Sequence, residues 1–231
     1  MKQESPPPAI IFAGRFGSGK TEIALNYARE AAQRSDALAT PAPIILVDLD
    51  IVTPYFRSRE MAEQMRQLGV EVIAPSVIGQ HLDTPAITPQ IMGAIEQPAR
   101  PVILDVGGDR QGARALGQFS HAVRRRGYTM HFVVNPFRPF TSTLSGLAAS
   151  IAEIEESARL KVTDLVSNPN LMEETTQRHI LEGHATIEAF AAELGLPIAF
   201  VCVERQRAEA LHARLAQPIL ILDRSFVQPW E

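Results

Sequence analysis

The segment Gly14-Arg15-Phe16-Gly17-Ser18-Gly19-Lys20-Thr21 fits the pattern G-x-x-x-x-G-K-[ST]. The chemistry this pattern serves is the cradling of phosphates. Glycines let the chain fold back and aim successive N–H groups inward with no Cβ in the way, and a helix beginning there adds the partial positive charge of its N-terminus. Lys20 would be the mobile cation for the β- and γ-phosphates, and the Thr21 hydroxyl a ligand for Mg²⁺. At average glycine usage the pattern arises by chance on the order of once in a hundred chains of this length, so its surroundings matter.

Two further runs deliver acids. Ile45-Leu46-Val47-Asp48-Leu49-Asp50 puts Asp48 and Asp50 on one side of a strand's carboxyl end, the edge where open α/β sheets bind ligands. Val102-Ile103-Leu104-Asp105-Val106-Gly107-Gly108 is an apolar run ending in Asp105, with a glycine three residues on. This has the form of a Walker B strand followed by a D-x-x-G turn, whose Gly108 N–H would sense the γ-phosphate. Asp48 and Asp105 are therefore candidate metal-site residues with Thr21, although strand-end acids also serve as turn and capping residues. No glutamate follows Asp105, which leaves Asp50 as the candidate for positioning the attacking water.

These residues need a scaffold, and the hydrophobic pattern supplies one. Short β-rich runs at Ala9–Ala13, Ile44–Val47, Val70–Ala74, Val102–Asp105, Met130–Val134, Leu165–Val166, Ile198–Val203 and Ile219–Leu222 alternate with segments of helical period. Those segments lie near Lys20–Arg34, Ser58–Leu68, Gly112–Arg126, Thr141–Ala158, Met172–Leu194 and Arg205–Leu215. Several strands are continuously apolar, as strands covered on both faces are. The alternation predicts an α/β fold, an open, mostly parallel sheet with helices on both faces, and the phosphate-loop pattern between its first strand and helix makes it the P-loop NTPase type. With 231 residues we expect a single domain over 9–231 behind a flexible, proline-rich tail at 1–8.

Composition limits the functions available. The 22 Lys and Arg against 26 Asp and Glu give a net charge of −4, so no strong nucleic-acid signal is present. One cysteine, Cys202, makes neither an internal disulfide nor a Cys-based metal site and reads as a small core residue. No run approaches the roughly 18 apolar residues of a membrane span, and the first residues lack a signal peptide's apolar region, so a cytoplasmic location is expected. The six histidines, His81, His121, His131, His179, His184 and His212, form no recognisable ligand cluster. Arg124-Arg125-Arg126 reads as cations facing a helix C-terminus, while Arg57 and Arg59 beside Tyr55 and Phe56 fit either a switch role or a solvated helix start.

Taken together, the phosphate loop, the D-x-D strand and the D-x-x-G strand resemble the CobQ/CobB/MinD/ParA group of nucleotide-binding domains, across nearly the whole chain. The most specific stretches are 17 to 22, ending in Glu22, the segment Val47 to Arg57, and Ser167-Asn168-Pro169-Asn170-Leu171. The resemblance implies that Asp50 orients the attacking water and Asp48 supports the Mg²⁺ shell. It makes Asp50 to Arg57 switch I and Gly107 to Arg114 switch II. It also implies that Asn168 reads the adenine edge, that Glu204 in Val203-Glu204-Arg205 packs near the base, and that Asn135-Pro136 is a further strand-end pair.

Departures from the group are equally specific. Arg15 stands where MinD and ParA carry a signature lysine that reaches a partner's nucleotide, so an arginine-finger role for Arg15 and a homodimer are both open. The amphipathic membrane helix of MinD is missing from 223 to 231, and paired cluster-binding cysteines are absent. Asn168 is followed by Pro169 and Asn170 rather than by the Lys and Asp of guanine readers, which favours ATP over GTP. The expected protein is a Mg²⁺-dependent ATP-binding protein and slow ATPase, a nucleotide switch that binds ATP or ADP and works with a protein partner or a second copy. Alternatives are a carboxylate-activating or phosphoryl-transfer enzyme like CobB or dethiobiotin synthetase, and a nucleotide-bound interaction module without catalysis.

Overall fold

The computed structural model describes residues 8–36, 43–50, 59–74, 89–97 and 99–223. The expected N-terminal tail, the switch I residues 51–57 and His81 lie outside the described residues.

Eight strands form one sheet: β1 (Ala9–Ala13), β2 (Ile44–Asp48), β3 (Val70–Ile73), β4 (Val102–Asp105), β5 (Tyr128–Val134), β6 (Asp164–Ser167), β7 (Ile198–Glu204) and β8 (Ile219–Leu222). Their spatial order is β3-β2-β4-β1-β5-β6-β7-β8, and every pairing is parallel. The crossovers carry α1 (Lys20–Asp36), α2 (Arg59–Gln67), α3 (Pro89–Glu96), α4 (Arg110–Gln118), α5 (Ser120–Arg126), α6 (Leu144–Ala158), α7 (Gln177–Leu194) and α8 (Arg205–His212).

Strand alternation splits the apolar residues between two layers. Ile11, Val47, Leu104, Phe132 and Val134 pack with Leu116, Leu147 and Ile154 on one face. Phe12, Leu46, Ile103 and Val133 pack with Ile23, Leu25 and Ala28 of α1 on the other. The α/β fold with a parallel sheet and helices on both faces thus follows from the pattern that predicted it. Among the described residues no helix is long and apolar enough to cross a membrane.

The helices differ from expectation where side chains override periodicity. The single helix expected over Gly112–Arg126 is two, broken at Phe119, which caps both and is fully buried. Its start moves forward because Asp109 accepts a hydrogen bond from the Gly112 N–H at 2.8 Å. The helix expected from Thr141 begins at Leu144 behind the capping hydroxyl of Thr143. The one expected from Met172 opens as a 3-10 turn, Met172–Glu174, and becomes α7 only after the capping box of Thr176 and His179.

Helix α3 was not anticipated. It buries Ile91, Ala94 and Ile95, and its final carbonyls are taken up from a distance. The Arg126 guanidinium donates to the carbonyls of Ala94, Ile95 and Gln97 at 3.2, 2.9 and 3.0 Å, and to that of Arg100. The arginine run therefore does serve helix ends, but Arg126 serves the end of α3 rather than of its own helix. Arg124 donates to the Arg159 carbonyl, and Arg125 pairs with Glu96.

Candidate functional site

The phosphate-loop pattern occupies the turn between β1 and α1, at the carboxyl edge of the sheet. Gly19 has a φ of +88°, and a Cβ there would lie 2.5 Å from Asn168 Nδ2. Only glycine satisfies both the left-handed backbone and that close approach. Asn168, just beyond β6, donates from Nδ2 to the Ser18 carbonyl at 2.7 Å. The residue expected to read a base is thus also a brace on the loop.

A second brace escaped the sequence reading. Arg138, in the segment after β5, donates from Nε to the Gly17 carbonyl at 3.2 Å. That segment is shaped by Asn135, whose Oδ1 accepts the Phe137 N–H at 3.1 Å and whose carbonyl accepts the Thr141 hydroxyl at 2.6 Å. Asn135 Nδ2 also donates to the Asn170 carbonyl at 2.8 Å, tying the ends of β5 and β6 together. The Asn-Pro pair at 135–136 was the available signal; nothing in the local sequence around Arg138 marks its reach to residue 17.

Behind the loop lies the acidic edge. Parallel pairing sets Asp48 directly beside Asp105. Asp48 Oδ1 accepts the Asp50 N–H at 2.8 Å, and the Leu49 N–H donates to the Asp105 carbonyl at 2.8 Å, so β2 and β4 end as one unit. Asp50 is buried, and a Cβ on Gly107 would sit 3.4 Å from its Oδ1. Gly108 lies against the phosphate loop itself. A Cβ there would fall 2.6 Å from the Phe16 nitrogen and 3.0 Å from Lys20 Nζ. The D-x-x-G turn and the loop lysine are therefore neighbours.

Asp105 is the electrostatic centre of this edge. It is 1% exposed, and burial raises its pKa from 3.8 to about 6. Lys20 and the Thr21 hydroxyl oppose the rise and Asp50 adds to it. Although Thr21 approaches closely enough to favour the charged form, neither Asp105 oxygen has a partner at full hydrogen-bond geometry. The Ser18 hydroxyl is likewise buried without a partner. Bare buried oxygens beside a lysine suit a bound cation and phosphate oxygens. Among the described residues no three acidic, histidine or cysteine side chains form a closed metal cage. An Mg²⁺ site built from one or two carboxylates, a hydroxyl, water and phosphate needs none.

Other expected site residues are engaged elsewhere. Arg15 Nη1 pairs with Glu153 Oε2 of α6 at 3.0 Å, and its guanidinium lies 4.6 Å from the Phe140 ring centroid. Glu153 and Phe140 were not among the sequence candidates. Glu204 ends β7, precedes α8 and pairs with Arg207. Glu22 sits in the first turn of α1, where its carbonyl accepts from Asn26 Nδ2 at 2.9 Å. Phe16 at the loop tip is 73% exposed. His131 and His184 are buried, bonded to Asp164 and to Ser167 respectively. Cys202 is buried in β7, and desolvation drives its thiol pKa well up, as an unreactive core residue requires.

Neither a protein-family model nor a curated protein matches the chain significantly. Solved structures do. The chain is similar to chloroplast FtsY from Physcomitrella patens, at 17% identity and a TM-score of 0.51 over 87% of this chain and 60% of that one. It is similar also to the signal recognition particle 54 kDa protein from Aeropyrum pernix K1 in complex with GDP, at 20% identity and a TM-score of 0.47 over 87% of this chain and 43% of that one. The chain spans about 60% of the length of the chloroplast FtsY chain. At such identities the likeness concerns architecture. The fold is of the P-loop NTPase type, and the phosphate-loop pattern stands at the sheet edge where that fold has its loop.

Proposed function

We propose that the protein binds ATP with Mg²⁺ and hydrolyses it slowly, as a nucleotide switch of the MinD/ParA kind. The observation that carries this reading is the buried Asp105 carboxylate beside Lys20 and Thr21, neither of whose oxygens meets a partner at full hydrogen-bond geometry. Thr21, Asp48 and Asp105 would hold Mg²⁺, which when bound supplies positive charge and orients phosphate oxygens. The amides of 14 to 21 and the Lys20 ammonium would take up charge on the phosphoryl oxygens. Asp50, at the mouth of the acidic edge, would orient the attacking water, and Gly108, packed on Lys20, would report the presence of a γ-phosphate. Asn168 would meet the base while bracing Ser18, with Glu204 nearby. The absence of a Lys and Asp after Asn168 supports adenine.

A second reading, a nucleotide-bound interaction module without turnover, gains support from Arg15. In the single chain its guanidinium is held by Glu153 and Phe140, so an arginine-assisted step would need it released, for instance onto the nucleotide of a second copy. Calorimetry with Mg-ATP and Mg-GTP, followed by phosphate release, separates the readings. Lys20→Ala should abolish binding. If that variant binds and turns over ATP as the parent does, the proposed site is wrong.

A further inference from the structure

Away from the phosphate loop, cationic side chains converge on a cleft of about 280 Å³ between α4 and the end of α6. Arg110 and Arg114 stand one turn apart on α4, and Arg159 follows the last residue of α6. The two helices meet here because Gly117 has no side chain. A Cβ on it would fall 2.5 Å from the Ser157 carbonyl oxygen. Ser157 and Gln118 add a hydroxyl and an amide to the lining.

Two of the three cations of this cleft are unpaired. Among the described residues Arg114 and Arg159 have no ion pair, and Arg110 reaches Glu153 and Glu156 only at 3.9 and 4.0 Å. Arg159 moreover adopts φ +56° at the cap of α6. Helix α7 puts Gly195 in the same left-handed conformation at the equivalent place. A side chain retained where glycine is the relaxed choice points to use of that side chain. Its backbone carbonyl accepts a hydrogen bond from Arg124.

We propose that this cleft binds a small phosphate-bearing anion, gripped by Arg114 and Arg159, with Arg110 drawn in from its long contacts. Guanidinium forks match the paired oxygens of a phosphate, and the adjoining hydroxyl and amide supply more donors than a carboxylate's two oxygens can use. An extended polyanion is disfavoured, since Glu156 lines one side of the cleft, Glu153 lies 3.9 Å from Arg110, and the chain carries a net charge of −4.

The test follows the arginine Nε–Hε resonances of the full chain by NMR while inorganic phosphate or glycerol 3-phosphate is added at constant ionic strength. Saturable shifts are expected at Arg114 and Arg159, unchanged in Lys20→Ala, where the phosphate loop is disabled. Arg114→Gln and Arg159→Gly should each weaken the apparent affinity at least tenfold. Arg159→Gly suits the left-handed cap, so its thermal midpoint should be kept or raised, which separates loss of binding from loss of fold. Tighter binding of glycerol 3-phosphate would assign the site to a phosphomonoester; equal or tighter binding of inorganic phosphate would assign it to free phosphate. The proposal is overturned by shifts confined to residues 14 to 21, by shifts that do not saturate, by affinity retained in both variants, or by an oligonucleotide outcompeting both ligands.

Discussion

Replacing Asp105 by Asn should make the nucleotide-free protein more stable at neutral pH while destroying its use of magnesium. Burial lifts the Asp105 pKa from 3.8 to about 6. Because the native-state value lies above the unfolded one, the stability linked to this group is fully present below about pH 4 and is lost as pH rises through about 6. A rise of about two pKa units corresponds to about 3 kcal/mol at pH 7. Asparagine removes the charge but leaves a buried amide needing partners, which costs about 1 kcal/mol, so a net gain of about 2 kcal/mol is expected. Urea melts of parent and variant between pH 4 and 8 measure it. The difference between the two curves matters, since half-buried acids such as Asp223, whose pKa is lowered by Arg205, push the parent's own curve the other way. The variant should be up to about 1 kcal/mol less stable than the parent at and below pH 4, cross it as pH rises, and reach its full advantage by pH 7. Mg-ADP should raise the midpoint of the parent alone. A variant less stable than the parent at pH 7, with the gap independent of pH, would refute the account of Asp105 as a charge awaiting a cation.

Three other outcomes follow from the geometry. Gly19→Ala forces a side chain into φ +88° and against Asn168 Nδ2, and should cost about 2 to 3 kcal/mol in chemical denaturation, together with measurable nucleotide affinity. Arg126→Ala strips the hydrogen bonds from the end of α3 and should lower stability by about 2 kcal/mol, with hydrogen exchange accelerating in 89–97 and unchanged nucleotide affinity. Glu153→Gln breaks a partly exposed ion pair, so melts should move by less than about 1 kcal/mol, yet ATP turnover at high protein concentration should rise if Arg15 acts on a second copy. Unchanged turnover at every concentration would remove Arg15 from the mechanism.

What could be read in the sequence was what is local. The loop of residues 14 to 21, the strand-end acids Asp48 and Asp105, and the eight strands each announce themselves within about ten residues, because period, glycine placement and apolar runs are short-range signals. Helix α3 did not. Its buried face is only Ile91, Ala94 and Ile95, too brief for a periodic signal, and its closing partner Arg126 lies about thirty residues later. Phe119 in turn breaks a helix that periodicity would continue, since its burial is decided by the sheet rather than by its neighbours.

The same division runs through the site. Asn168 was found by its place at the end of β6, but the bond from its amide to Ser18 spans 150 positions and leaves no mark in either segment. Arg138 on Gly17 and Glu153 on Arg15 are of the same kind, spanning 121 and 138 positions. All three reach the phosphate loop from β5 and β6 or the segments that follow them, the strands next to β1 on one side. The acids Asp48 and Asp105 reach it from β2 and β4 on the other. The loop is thus held by hydrogen bonds on one flank and faces carboxylates on the other. A ligand that draws Lys20 toward its phosphates must pull against Asp105 and Gly108 rather than against the braces. Movement on nucleotide binding is therefore expected first in the segment after β4, with Asn168 and Arg138 staying in place. Amide exchange should slow at residues 107 to 114 on adding Mg-ATP and stay nearly constant at 135 to 141. The reverse pattern would show that the braces, not the acidic edge, are the moving part.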